Sequence, residues 1–119
     1  IMPAHCTSTG KVMLAQLPLA ELHQLLPEEN LERITDRSIG SRTKLEAELS
    51  RIREQGYAFN REESEEGVAS VAVAIPTRAP GLRLALNAAA PQHRLIRSRY
   101  PSVAAALTEA ANEIGDQLG

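Results

Sequence analysis

The chain has no tryptophan, one phenylalanine, two tyrosines and one cysteine, and no run of apolar residues approaching the roughly 18 that a membrane helix needs. A single cysteine excludes an intrachain disulfide and fits a reducing compartment. Positive charge is not in excess either: 13 lysines and arginines stand against 15 aspartates and glutamates. The bulk electrostatics therefore give no hold on a polyanion such as DNA. Arg94, Arg97 and Arg99 have no stacking aromatics interleaved with them and read as a solvated face. No basic-then-apolar signal pattern opens the chain. The expectation is a cytoplasmic protein with no membrane partner.

What is present is the balance of an ordinary globular domain, 43% hydrophobic and 24% charged over 119 residues, enough for one core without disulfides or a structural metal. The opening Ile1-Met2-Pro3 leads almost at once into an apolar segment and reads as part of something longer.

Helical spacing predicts a helix over Ser8 to Leu17, capped by Thr7 or Ser8, with Met13, Leu14 and Leu17 on one face. Pro18 starts a second over Leu19 to Leu26, which Pro27 stops. Thr43, with Glu46 three residues on, reads as the capping box of a third helix, Lys44 to Gln55, that Gly56 ends. The period then becomes alternating. Strands are expected over Tyr57 to Glu62, Ser70 to Pro76 and Leu82 to Ala90, with a charged turn at "EESEEG" and Gly81 introducing the third. A last helix, Ser102 to Leu118, is closed by Gly119. The fold class is α+β, a layer of helices over an antiparallel sheet.

The stretch "HCTSTGK" invites three chemistries. A phosphate-binding P-loop needs a glycine five residues before its Gly-Lys pair and a hydroxyl residue after the lysine. Those positions hold His5 and Val12, so the motif fails. Adjacent His5 and Cys6 point to opposite faces of an extended segment, against a base-nucleophile pair. His5, His23 and His93 lie far apart with no second thiol to join Cys6, which leaves metal ligation without a local signature. No cofactor is expected. The acids Glu62, Glu63, Glu65 and Glu66 read as a solvated turn rather than as paired catalytic carboxylates.

The helix start remains. Backbone amides near Thr9, Gly10 and Lys11, the hydroxyls of Thr7, Ser8 and Thr9, and the positive end of the helix dipole together can hold a small anion. Plain capping would need only one hydroxyl. In "SVAVAI" the bulky Val71, Val73 and Ile75 share one face, leaving Ser70, Ala72 and Ala74 opposite. In "LRLALNAAA" Leu82, Leu84 and Leu86 share a face, leaving Ala85, Asn87 and Ala89. Small faces of this kind either floor a partly polar pocket or let a helix pack close, and the residues alone do not choose.

The order "PAHCTSTGKVMLAQL", "ERITDRSI", "LEAELSRIREQGYAFNREESEEGVASVAVAIP", "LRLALNAAAP" and a closing alanine-rich helix resembles the C-terminal effector-binding domain of IclR-family bacterial transcription regulators, across essentially the whole chain. The resemblance implies a GAF-like domain spanning 1–119 and lacking its first strands, with the family's N-terminal winged helix-turn-helix absent. It implies a pocket between the sheet and the helix at "TSTGK", lined by Ser8, Thr9, Asn60, Ser70, Asn87 and Ala89. The family commonly has an acid where Asn60 stands, a hydroxyl where Ala89 stands, and "SGP" where this strand ends "AAP". Fewer acceptors suit an anionic or partly apolar ligand.

The partners implied are a small organic acid, DNA only through the absent domain, and further copies of the chain as a homodimer or homotetramer. The competing expectations are a small enzyme using Cys6 or the Glu62/Glu63 pair, and a ligand-free oligomerisation module.

Overall fold

A computed structural model describes residues 2–78 and 82–118; the expected roles of Gly81 and Gly119 lie outside them. A 3-10 turn, Ala4–Cys6, leads into α1 (Ser8–Ala15), followed by α2 (Leu19–Leu25), α3 (Arg42–Gln55), β1 (Ala58–Arg61), β2 (Val68–Ile75), β3 (Leu84–Pro91), a second 3-10 turn (Arg97–Arg99) and α4 (Tyr100–Leu118). The three strands form one antiparallel sheet in the order β1-β2-β3.

Helices cover both faces of this sheet rather than one, because β2 is buried on both sides. Ala69, Val71, Val73 and Ile75 pack with Leu95, Tyr100, Ala104 and Ala111 of the α4 side. Ala72, with Ala58 of β1, packs against Val12 and Ala15 of α1 and Leu45, Leu49 and Ile52 of α3. The bulky and small faces read from the alternation are thus real, and the small one does admit a helix at Ala58, Ala72 and Ala85. Two helix glycines mark the closest approaches. A Cβ on Gly10 would lie 2.2 Å from the Ala4 carbonyl oxygen, and one on Gly115 would lie 2.2 Å from that of Pro76.

Thr7 caps α1, its hydroxyl accepting from the Gly10 amide at 2.9 Å. The cap of α3 is Ser41 rather than Thr43, its hydroxyl accepting from the Lys44 amide at 3.2 Å. Thr43 falls in the first turn, where its hydroxyl and amide donate to Glu29 at 2.6 and 3.0 Å and hold that carboxyl below its usual range. Glu46 faces Arg42 and His23 instead of closing a capping box. Gly56 ends α3 in the left-handed region at φ 88°, as glycine after a helix does. At the end of the chain α4 starts two residues before the predicted Ser102, with Pro101 in its first turn, where a missing amide costs nothing.

Candidate ligand-binding site

The β1-β2-β3 register sets Asn60 opposite Ser70 and Ser70 opposite Ala89, one row across the sheet. Asn87 sits two positions from Ala89 on β3, opposite Ala72. The first turn of α1 lies over this face. Ser8 Oγ is 2.7 Å from Ser70 Oγ, and Asn87 Nδ2 donates to Thr9 Oγ1 at 2.8 Å. Five of the six residues singled out in the sequence therefore meet through side chains or a shared row at one corner, and Ala89 completes the row.

The corner has a closed floor and an open rim. Ser8, Asn60 and Ser70 are buried, Thr9 is half-buried, and Asn87 and Ala89 are exposed. Asn60 is heavily committed: its Nδ2 donates to the Cys6 carbonyl and to Ser64 Oγ, both at 2.9 Å, and its Oδ1 accepts from the Glu63 amide at 2.8 Å. Thr7 takes the Gly10 and Lys11 amides. That leaves the first-turn amides of Ser8 and Thr9 without an intrahelical acceptor, at the positive end of the helix. What the arrangement offers is hydroxyls, amide donors and a helix start, with carboxylates kept out of the row. That set matches an anionic group better than a cation. Concavities open elsewhere, among them an apolar groove of about 550 Å³ beside Leu14, Leu25, Leu26 and Leu31, one of about 500 Å³ between Tyr57 and the first turns of α4, and one of about 470 Å³ between the α1–α2 elbow and α3.

The alternative chemistries lose their groups to structure. Cys6 is buried, its thiol faces Ser38 Oγ at 3.7 Å, and burial pushes the thiol up, away from a reactive thiolate. His5 is turned to the Glu32 carbonyl at 2.6 Å. Glu62 has φ 60° and its carboxylate accepts from the Gly67 amide at 3.0 Å, closing the β1–β2 turn. Among the described residues no three His, Cys, Asp or Glu are gathered as a metal site, and no helix is long and apolar enough to cross a membrane.

One expectation is overturned. Glu63 is not part of a solvated turn: it is 6% exposed and receives Lys11 Nζ at 2.9 and 3.0 Å, while Glu48 of α3 receives the same ammonium at 2.5 Å. Ser38 and Thr35 pin the turn from the other side by donating to the Glu63 and Glu62 carbonyls. The sequence reasoning missed this cluster. Its signal is a lysine three and four residues ahead of Leu14 and Ala15, on the apolar side of α1, in a chain that also carries a dense acid run.

The fold and site define a small α+β domain with a polar corner between a helix start and a sheet. The family model for the bacterial transcriptional regulator IclR C-terminal domain matches residues 1–116, and the chain belongs to that family. It is 34% identical over 117 residues to the HTH-type transcriptional regulator KdgR of Dickeya chrysanthemi, covering 98% of this chain and 38% of that protein. The solved C-terminal domain of Escherichia coli KdgR matches with a TM-score of 0.87 at 35% identity, covering 98% of this chain and 71% of that one. A double mutant of the PobR transcription factor inducer-binding domain from Acinetobacter, solved as a complex with 3-hydroxybenzoic acid, matches at 0.82 and 31%, covering 95% of this chain and 65% of that one. The chain spans well under half the length of the full KdgR relative. These relatives are transcription regulators, not enzymes.

Proposed function

We propose that this chain is the ligand-sensing part of an IclR-type regulator, binding a small carboxylated metabolite at the corner of Ser8, Thr9, Asn60, Ser70, Asn87 and Ala89. The observation that carries the reading is the convergence of the α1 start on the sheet row through the Ser8–Ser70 and Thr9–Asn87 hydrogen bonds. A carboxylate displacing Asn87 from Thr9 would find the Thr9 hydroxyl, the Asn87 amide and the first-turn amides together. The 3-hydroxybenzoic acid of the PobR complex, itself a small carboxylated molecule, supports the same ligand class.

In the full-length protein, ligand binding shifts the DNA affinity of an attached winged helix-turn-helix, which requires the ligand to bind two arrangements of the domain unequally. On this reading the domain spans 1–119, works in the cytoplasm and assembles with further copies as a dimer or tetramer.

The test is thermal stability of the full-length protein against keto acids, dicarboxylates and aromatic acids. A ligand at about 100 times its dissociation constant adds roughly 2.7 kcal/mol. The expected result is a rise in midpoint with one acid, lost in Ser70→Leu and Asn87→Leu. Preferential binding of amines or sugars, or no response to any acid, would overturn the reading.

A further inference from the structure

Lys11 is fully buried, and two carboxylates from different parts of the chain share its ammonium: Glu48 of α3 at 2.5 Å and Glu63 of the β1–β2 turn at 2.9 Å. One cation against two anions leaves the cluster with a negative charge to spare.

The other groups facing it do not neutralise that charge. Arg51, one turn along α3, reaches the second Glu48 oxygen only at 3.8 Å, and its side chain is 65% exposed. Arg61 of β1 offers Glu63 its backbone amide at 3.4 Å, while its guanidinium is committed to the Leu95 carbonyl and Gln92. Arg97 lies at the Phe59 ring, 5.3 Å from its centre, as Lys11 does at the same distance. From the connection before α3, Ser38 donates to the Glu63 carbonyl, and Asp36 and Arg37 line a small recess with Glu62 and Glu66. Cys6 adds a thiol whose burial disfavours its charged form.

We propose that Lys11, Glu48 and Glu63 form a proton-responsive clasp, in which mild acidification protonates Glu63, leaves a balanced Lys11–Glu48 pair, and tightens the corner joining α1, α3 and the β1–β2 turn. Burial pushes the Glu63 carboxyl up; the Lys11 charge and hydrogen bond oppose this, and the Glu48 charge adds to it. A carboxyl raised in the fold gives stability that is complete below its unfolded value and is lost as pH rises through its folded value. On this term the clasp is thus tightest once pH has fallen into the ordinary carboxylate range and loosens as pH rises through the raised Glu63 value. Because the Glu63 amide donates to Asn60 Oδ1, the same proton bears on a residue of the ligand corner. That last consequence rests on the proposed function, whereas the clasp itself does not.

The test uses the intact protein without any ligand, so failure to bind a carboxylate leaves it standing. Glutamate side-chain carboxyls labelled with carbon-13 are titrated by NMR, with Glu63 assigned through its own side-chain correlations. The expected result is a Glu63 transition at higher pH than those of the exposed Glu28 and Glu65. In parallel, the thermal midpoint of the wild type relative to Glu63→Gln should rise as pH falls from neutrality. A Glu63 transition coincident with or below those of the exposed glutamates, or a midpoint difference that does not change with pH, overturns the clasp.

Discussion

Ser8 Oγ and Ser70 Oγ lie 2.7 Å apart with the two residues 1% and 7% exposed, so the start of α1 is tied to the central strand by a hydrogen bond with little access to water. Each hydroxyl is the other's buried partner. Ser70→Ala should therefore cost about 1–3 kcal/mol, the penalty of leaving Ser8 unsatisfied, and Ser8→Ala a similar amount. The double substitution should cost clearly less than the sum. Urea unfolding of the four proteins measures this, with shifted midpoints at unchanged slope; strict additivity would mean that the two hydroxyls are not coupled.

Alanine is the better helix former by about 1 kcal/mol, so replacing a helical glycine should stabilise the chain unless space forbids it. At Gly10 and Gly115 the added carbon would meet backbone carbonyl oxygens at 2.2 Å. Backbone cannot swing aside as a side-chain tip can. Gly10→Ala and Gly115→Ala should each lose about 1–3 kcal/mol, measured by chemical denaturation. A gain in either would show that α1 or α4 stands further from its neighbour.

Much of this was legible from pattern alone. The apolar spacing of Leu45, Leu49 and Ile52 matches the buried face of α3, and that of Val103 and Leu107 falls on the packed side of α4, although the buried alanines there are Ala104 and Ala111 while Ala106 is exposed; the alternation in "SVAVAI" identified both faces of β2. The meeting of Ser8 with Ser70 and Thr9 with Asn87 was not readable from the residues alone, whose small faces fitted a polar pocket and close helix packing equally well; the family resemblance alone set the helix start over that face. What was not legible depended on distant partners. Ser41 and Thr43 are both good caps, and Glu29, fourteen residues before Thr43, draws Thr43 into another role. Glu63 resembles its acidic neighbours until the fold brings Lys11 under the turn. Helical cover on both sides of the sheet required knowing that α4 crosses to the face opposite α1.

Cys6 offers a test of the buried N-terminal segment. Its thiol is 0% exposed and held in its neutral form by burial, and thiolate is the species that alkylates. Iodoacetamide at neutral pH should label the native chain far more slowly than the chain in urea, the native rate following the opening equilibrium. Labelling at the rate of a free thiol would show that the Ala4–Cys6 turn does not stay docked.

Lys11 carries the largest single-residue prediction. Lys11→Met keeps much of the aliphatic stem, so the loss falls mainly on charge: Glu48 and Glu63 remain opposite each other with no cation between them. Removing one partner from a buried ion pair costs about 3–5 kcal/mol, because the charge left behind is desolvated and uncompensated. The sign with pH follows from which form suffers. With the ammonium gone, Glu63 loses the charge that opposes its burial and prefers its proton in the fold still more, so the deficit should be full near neutrality and shrink as pH falls through the raised Glu63 value. Adding Glu63→Gln removes one of the two stranded charges and should recover part of the stability at neutral pH while changing little in acid. Denaturant unfolding of Lys11→Met and of the double variant at both ends of that range measures each term. A deficit that is the same at both ends would assign the role of Lys11 to the packing of its stem instead of to its charge.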